Sequence, residues 1–106
     1  IADSAMELYQ AKLMVLHAAY LIDQAADFRS EVSMTKHFAA NAPGRIIDRA
    51  IQVHGARGLT DETPLAEMYA NARAARIYDG PDEVHRMVVS RRILKEFEKG
   101  GVWRFS

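Results

Sequence analysis

Residues 31–54 read EVSMTKHFAANAPGRIIDRAIQVH, a stretch in which apolar and small side chains recur at helical spacing. Such spacing places one face of a helix against a core. The positions on this face are Val32, Ala39, Ala42, Ile46, Ala50 and Val53. Pro43 lies inside the segment, and because proline lacks a backbone N–H and clashes with the preceding turn, we expect a kink or a short break there. Gly55 is well suited to end the helix.

The segment before it, about residues 2–28, is helical and apolar on two faces. One stripe contains Met6, Tyr9, Leu13, Leu16 and Tyr20, and the other contains Leu8, Val15, Ala19, Ile22 and Ala26. A helix that is apolar on two faces is usually covered by more than its own small domain. The pattern therefore indicates an oligomer or an inter-domain contact.

Two further helices follow residue 58. Thr63 as N-cap and Pro64 as the first helical residue open a third helix, which extends to Tyr78. Pro81 and the acidic residues after it open a fourth, which fades near Gly100. Its apolar stripe contains Val84, Met87, Val88 and Leu94. No stretch alternates with period two, so four helices with short connections predict an all-α, antiparallel four-helix bundle.

The composition bounds the class of protein. The 106 residues predict one domain, residues 1–106, and 49% hydrophobic residues predict a packed core. The 14 basic and 14 acidic residues balance and are interspersed, which argues against nucleic acid or an anionic membrane surface as a partner. The longest apolar run, residues 13–22, is about half the ~20 residues that span a bilayer. We expect a cytoplasmic location, or an organelle if a targeting segment precedes Ile1.

The sequence gives little support for a metal site or for a catalytic nucleophile. The absence of cysteine excludes thiolate chemistry, and no serine lies in a Gly-x-Ser-x-Gly turn. A di-iron bundle needs two acid-x-x-His motifs, whereas this chain offers one, Asp82 with His85. An acidic helix start beside an ordinary histidine explains that match better, so we expect no metal.

Three features carry residue types that could bind or react. The first is the loop Gln52-Val53-His54-Gly55-Ala56-Arg57-Gly58. Its small residues would let backbone N–H groups approach a phosphate. On spacing alone, however, a plain helix end followed by a turn is favoured. Asp79, between two helices, is a candidate general base or a simple turn residue. Arg91 shares the stripe of the fourth helix, and either extends to solvent or pairs with an anion.

These features, in this order, resemble the C-terminal helical domain of the acyl-CoA dehydrogenases. The similarity is strongest from DRAIQVHGARG (residues 48–58) through IYDGPDEVHR (residues 77–86). The family's loop is Gln-x-x-Gly-Gly-x-Gly, followed by an apolar residue and a helix-opening proline, positions that Leu59 and Pro64 fill here. Its catalytic segment is Ile-Tyr-Glu-Gly, then a polar helix start and a later arginine. Two motifs in register make the resemblance specific.

The resemblance implies an oxidoreductase of fatty-acid β-oxidation, a flavoprotein that removes the α-proton of an acyl-CoA thioester while FAD accepts the β-hydride. It makes Asp79 the catalytic base and Gly80 a residue of the thioester site. It places Arg91 near the CoA or adenine moiety. The residues implied to contact FAD are Gln52, His54, Gly55 and Ala56, usually at the neighbouring subunit's cofactor, and Pro81 and Glu83 at the same site. The implied partners are acyl-CoA, an electron-transferring flavoprotein and further copies in a homodimer or homotetramer.

The chain departs from the family pattern in ways that limit this expectation. Asp79 replaces the usual glutamate and is one methylene shorter, and Ala56 replaces the second loop glycine. In the third helix, Ala70 and Asn71 replace a frequent Arg-Asp pair. The family's N-terminal helical domain and middle β-domain are absent, so we expect a C-terminal fragment that is inactive alone. The alternative is a stand-alone, non-catalytic helical oligomerisation module.

Overall fold

The computed structural model describes residues 1–103. It contains α1 (Ala2–Asp23), α2 (Arg29–His54), a 3₁₀ turn (Gly55–Leu59), α3 (Leu65–Ala74) and α4 (Asp82–Glu98). No strand is present among these residues, which confirms the predicted all-α class. None of the helices in this range is long and apolar enough to cross a lipid bilayer.

Helix α2 is the centre of the molecule, and α1, α3 and α4 each pack against it. The hydrogen bonds give the directions. Near one end of α2, Arg49 bonds Ser4 at the start of α1, while Thr35 bonds Met14 farther along α1. On α4, Asp82 meets Asn41 and Arg92 meets Ser30, so both α1 and α4 run antiparallel to α2. The predicted antiparallel arrangement is confirmed.

Helix α1 packs on α2 through a seam that the two predicted apolar stripes do not contain. The residues with reduced exposure recur at alternating spacings of three and four, as in a coiled-coil seam: Ser4, Glu7, Ala11, Met14, Ala18 and Leu21, with His17 beside them. Both apolar stripes instead face solvent, with Leu16 66% and Tyr20 59% exposed. Since several seam residues are polar, a search for apolar periodicity does not select this face.

Helix α2 continues through Pro43, so of the two predicted outcomes, a kink or a short break, the break is wrong. Proline costs one backbone hydrogen bond, and its ring here lies on the exposed side of the helix. Packing against α1, α3 and α4 on the other sides holds the helix together across that missing bond.

The last two helices differ from prediction at their ends and in their buried face. Pro64 rather than Thr63 precedes the first residue of α3, and α3 ends at Ala74 rather than Tyr78. In α4 the predicted apolar stripe faces outward, with Leu94 61% exposed. The inward side instead carries polar groups that bond across to α2, including Asp82 and Arg92. This inward face mixes those polar groups with the half-buried Val89 and Ile93, so hydropathy alone does not select it.

Glu7 ties the start of α1 to the end of α2, and we expect acid to weaken this link. Its carboxylate accepts hydrogen bonds from Arg49 at 2.8 Å and Arg45 at 2.7 Å, which lower its pKa from 4.5 to about 2. A pKa that is lower in the folded state stabilises the fold above the unfolded value, and that contribution is lost as the pH falls from 4.5 towards 2. Glu7→Gln should therefore lower the free energy of unfolding at neutral pH and flatten its acid dependence.

Urea unfolding of the chain across this pH range measures the effect. Glu62→Gln is the matched control, because Glu62 and its partner Arg57 are both 67% exposed and such surface pairs contribute little. An acid dependence of Glu7→Gln equal to that of the wild type would show that the Glu7 cluster is not the source.

Candidate functional site

The loop between α3 and α4 holds Asp79 in an uncommon backbone conformation. Asp79 has φ +53°, in the left-handed region that aspartate and asparagine tolerate better than most side chains, and Gly80 has φ +91°. A Cβ at Gly80 would lie 2.8 Å from Nε2 of His85, so a side chain here would have to displace the imidazole and would also be strained by the positive φ. The Asp79 side chain is exposed at the surface of the chain.

A lysine from the central helix holds this loop from one side. Nζ of Lys36 donates hydrogen bonds to the carbonyls of Ala75 at 2.6 Å, Tyr78 at 2.9 Å and Gly80 at 2.9 Å. From α4, Nε2 of His85 lies 3.3 Å from the carbonyl of Asp79 and can donate to it when it carries the proton. The carbonyls of residues 78 to 80 therefore all have partners.

A buried carboxylate holds the other end of the loop. Asp82, 2% exposed, accepts hydrogen bonds from Nε of Arg76 at 2.8 Å and from Nδ2 of Asn41 at 3.2 Å. Its own N–H donates to the carbonyl of Arg76 at 3.2 Å. Burial raises the pKa of Asp82, but the hydrogen bonds from Arg76 and Asn41 outweigh it and leave this pKa below its usual value. Asp82 is therefore an ionised anchor whose carboxylate is engaged by Arg76 and Asn41.

A cavity of about 380 Å³ lies beside the loop, between α1, α2 and α4. Its walls are mostly apolar and include Met14, Phe38, Val89 and Ile93 together with two histidines, His37 and His85. Among residues 1–103, no group of three or more His, Cys, Asp or Glu side chains is placed to hold a metal ion.

The glycine loop lies at the C-terminal end of α2. Gly55 ends the helix with φ +61°, and no atom lies within 4 Å of a Cβ built there, so its backbone is open to an approaching group. Gly58, in contrast, packs against the backbone of Ile51 at 3.0 Å and needs the absence of a side chain. The side chains predicted to contact a cofactor here are all exposed: Gln52, His54 and Ala56. This end of α2 is the negative end of the helix, so a phosphate here would depend on the backbone N–H groups of the turn after Gly55 and on the exposed Arg57.

The chain does not bring its candidate residues into one place. Lys36, beside Asp79, and Gln52, beside the glycine loop, are 16 residues apart on α2, a separation of about 24 Å at 1.5 Å per residue. Arg91 is exposed, about 14 Å along α4 from Asp82 by the same rise. Pro81 precedes α4 and Glu83 is exposed in its first turn, so these two do lie beside Asp79.

The residues that sequence reasoning missed are those that hold the loop: Lys36, Asn41, Arg76 and Asp82. One signal was available for Lys36. It lies four residues after Val32 and three before Ala39, on the apolar face predicted for α2. A lysine on that face must find acceptors or reach solvent.

Comparison with known proteins finds relatives that match nearly the whole chain. The family model described as "Acyl-CoA dehydrogenase, C-terminal domain" matches residues 1–94. The protein named "Probable acyl-CoA dehydrogenase FadE2" of Mycobacterium tuberculosis is 50% identical over 96 residues, which are 89% of this chain and 24% of that protein. The caffeyl-CoA reductase-Etf complex subunit CarC of Acetobacterium woodii is 38% identical over 96 residues, 91% of this chain and 25% of that one.

A solved structure agrees with these sequence matches. Butyryl-CoA dehydrogenase from Megasphaera elsdenii superimposes with a TM-score of 0.84 at 29% identity, over 88% of this chain and 24% of that one. The chain thus spans about a quarter of the length of these three proteins.

Proposed function

The chain belongs to the acyl-CoA dehydrogenase family, in which it corresponds to the C-terminal domain, and from this premise we propose that it forms part of a complete FAD-dependent acyl-CoA dehydrogenase. The family model that matches residues 1–94 and the one-quarter coverage of the relatives support this proposal. In the complete enzyme, the domain supplies the base and one face of the cofactor site. The reaction is the α,β-dehydrogenation of an acyl-CoA thioester.

Asp79 is the proposed base. The observation that carries this assignment is its exposed carboxylate on a left-handed backbone whose flanking carbonyls are held by Lys36 and His85. The held backbone limits where the carboxylate can reach, and a group that must take an α-proton needs such a fixed starting position. The C–H electron pair at the α-carbon becomes part of the new double bond, and the carboxylate takes the proton. Gly80 gives the thioester close access to the loop.

FAD, when bound, supplies the acceptor for the hydride that leaves the β-carbon. The open helix end at Gly55, with Gln52, His54 and Ala56 exposed beside it, is proposed to hold the diphosphate of a neighbouring subunit's cofactor. This end of α2 and the Asp79 loop are separated by about 24 Å along the helix. The separation supports contact of the two loops with two different FAD molecules. Pro81 and Glu83, next to Asp79, are proposed to contact the FAD of their own site. Arg91 is proposed to pair with a phosphate of CoA or adenine nucleotide.

The exposed apolar faces support partners for this domain. Leu16 and Tyr20 on α1 and Leu94 on α4 are more than half exposed in the chain, as expected for surfaces that other domains or subunits cover. We propose a homodimer or homotetramer. An electron-transferring flavoprotein is the proposed acceptor, supported by CarC, whose name places it in an Etf complex. The cytoplasmic location stays a prediction.

Anaerobic mixing of the purified complete enzyme with butyryl-CoA, octanoyl-CoA and palmitoyl-CoA tests the function. Loss of the oxidised flavin absorbance with one or more of these thioesters is the expected result. An enzyme that holds FAD and is reduced by none of them would contradict the proposal.

The 106-residue chain alone is expected neither to retain FAD nor to oxidise acyl-CoA. The chain spans about a quarter of the length of its relatives, and its two loops are proposed to contact different flavins, so it would hold only part of each cofactor site. Gel filtration with excess FAD, followed by absorbance of the protein peak, measures retention. A stoichiometric yellow complex would contradict this expectation, while the complete enzyme in the same buffer is the positive control.

A further inference from the structure

Lys36 lies on α2, yet its ammonium group bonds to the loop that follows α3. Its three acceptors are the carbonyls of Ala75, Tyr78 and Gly80, at 2.6, 2.9 and 2.9 Å. An ammonium group has three N–H donors, so these bonds use all of them. Because the donor is charged, each bond is stronger than one between neutral groups.

The three carbonyls lie on both sides of Asp79. The carbonyl of Tyr78 belongs to the peptide that enters Asp79, and that of Gly80 belongs to the peptide that leads into α4. The Asp79 carbonyl between them meets His85 on α4. The peptide groups on either side of Asp79 are therefore fixed from two helices, α2 and α4. A strained left-handed residue persists when its surroundings hold it in this way.

The ammonium also matches the charge at this place. The carbonyls of Ala75 and Tyr78 follow the last turn of α3, which is the negative end of that helix. Nζ of Lys36 lies 5.7 Å from the centre of the Tyr78 ring, within the range of a cation–π contact. Lys36 thus binds both the backbone and the side chain next to Asp79.

We infer that Lys36 is a positioning residue for the base: by donating to the three carbonyls around Asp79, it sets the direction in which the Asp79 carboxylate points. This inference rests on the proposed function, in which Asp79 takes the α-proton. A displacement of a reacting group by about 1 Å can cost about 100-fold in rate. Loss of Lys36 should therefore slow proton removal without removing the substrate or the cofactor.

Stopped-flow reduction of the flavin in the complete enzyme tests the inference with Lys36→Met, which keeps an unbranched side chain one atom shorter than lysine and removes the donors. The rate constant at saturating acyl-CoA should fall about 100-fold, while the acyl-CoA dissociation constant changes less than about 3-fold and FAD stays bound. Lys99→Met, at a 62% exposed side chain just after α4, is the matched control and should react like the wild type. A rate for Lys36→Met within about 3-fold of the wild type would overturn the inference.

Chemical rescue separates hydrogen-bond donation from charge and packing. Lys36→Ala leaves a space that propylammonium can fill, and this cation should restore at least about 10-fold of the lost rate. Tetramethylammonium carries the same charge without N–H donors and should restore none. Equal recovery with both cations, or with neither, would overturn the inference. If Lys36→Met does not retain FAD, the test rests on Lys36→Ala alone. Propylammonium should then restore both FAD retention and the rate of flavin reduction in that variant.

Failure of the inference and failure of the proposed function give different results. If acyl-CoA does not reduce even the wild-type flavin, the proposed function fails. Hydrogen exchange of residues 75–80 then decides the role of Lys36, because Lys36→Met should speed exchange in this segment and leave α1 unchanged. If the wild type reacts and Asp79→Asn does not, the proposed function stands. A normal rate in Lys36→Met then overturns only the inference about Lys36.

Discussion

Asp79→Asn in the complete enzyme is expected to slow flavin reduction by acyl-CoA about 1,000-fold or more while FAD remains bound, since removal of a positioned general base costs up to about 10⁴-fold. An amide cannot take the α-proton, but it has the shape of the carboxylate. Asparagine also tolerates the left-handed backbone of this position, φ +53°, as well as aspartate does. The substitution therefore removes the proton acceptor and leaves the loop in place, which alanine would not.

Stopped-flow absorbance of the flavin measures the effect, with acyl-CoA affinity taken from the same titration. Asp61→Asn, the same change at an exposed turn residue, is the matched control and should leave the rate unchanged. Asp79→Glu, with the carboxylate that the family usually carries, should retain measurable reduction. A wild-type rate in Asp79→Asn would remove Asp79 from the role of base.

The helices could be predicted because apolar spacing and the Gly and Pro residues between segments are local signals. The glycine at position 55 ended α2 as predicted, and Pro81 preceded α4. The buried face of each helix was harder to predict. The α1 seam includes Glu7, whose place is set by Arg45 and Arg49 on another helix. Contacts of this kind are decided by the fold as a whole, and hydropathy along one segment does not contain them.

The residues of the candidate site also fall into those that local sequence marks and those that only the fold brings together. The resemblance selected Asp79 and the glycine loop because the motifs around them are contiguous in the sequence. It could not select Lys36 or Asn41, whose acceptors lie about 40 residues later in the chain. In the sequence, Asp82 is an acidic helix start beside His85, whereas the structure gives Asp82 and Asp79 opposite surroundings. Asp79 is exposed and Asp82 is buried and paired, and this contrast separates the group suited to react from the group that holds the loop.

Asp82→Asn is expected to destabilise the chain strongly, by about 2–4 kcal/mol, because it breaks a buried ionic network from one side. The new amide would turn an N–H group towards Arg76 or Asn41, which are donors themselves. Arg76 is 37% exposed and can recover part of its solvation, so the loss is below that of a fully buried pair. For a domain of this size, it corresponds to a fall in Tm of about 10–25 °C.

Thermal unfolding of the 106-residue chain followed by circular dichroism measures this loss, and Asp79→Asn is the matched control. The same change three residues earlier, at an exposed side chain, should alter the free energy of unfolding by less than about 0.5 kcal/mol.

The effect of Asp82 on stability should also depend on pH. Because the pKa of Asp82 is lowered in the folded state, its contribution to the free energy of unfolding is present above the unfolded pKa of 3.8 and is lost as the pH falls through the folded pKa. The stabilities of Asp82→Asn and the wild type should therefore converge in acid. Equal effects of the two substitutions at neutral pH would mean that the exposed and the buried carboxylate stabilise the loop alike, and would contradict the division of roles between Asp79 and Asp82.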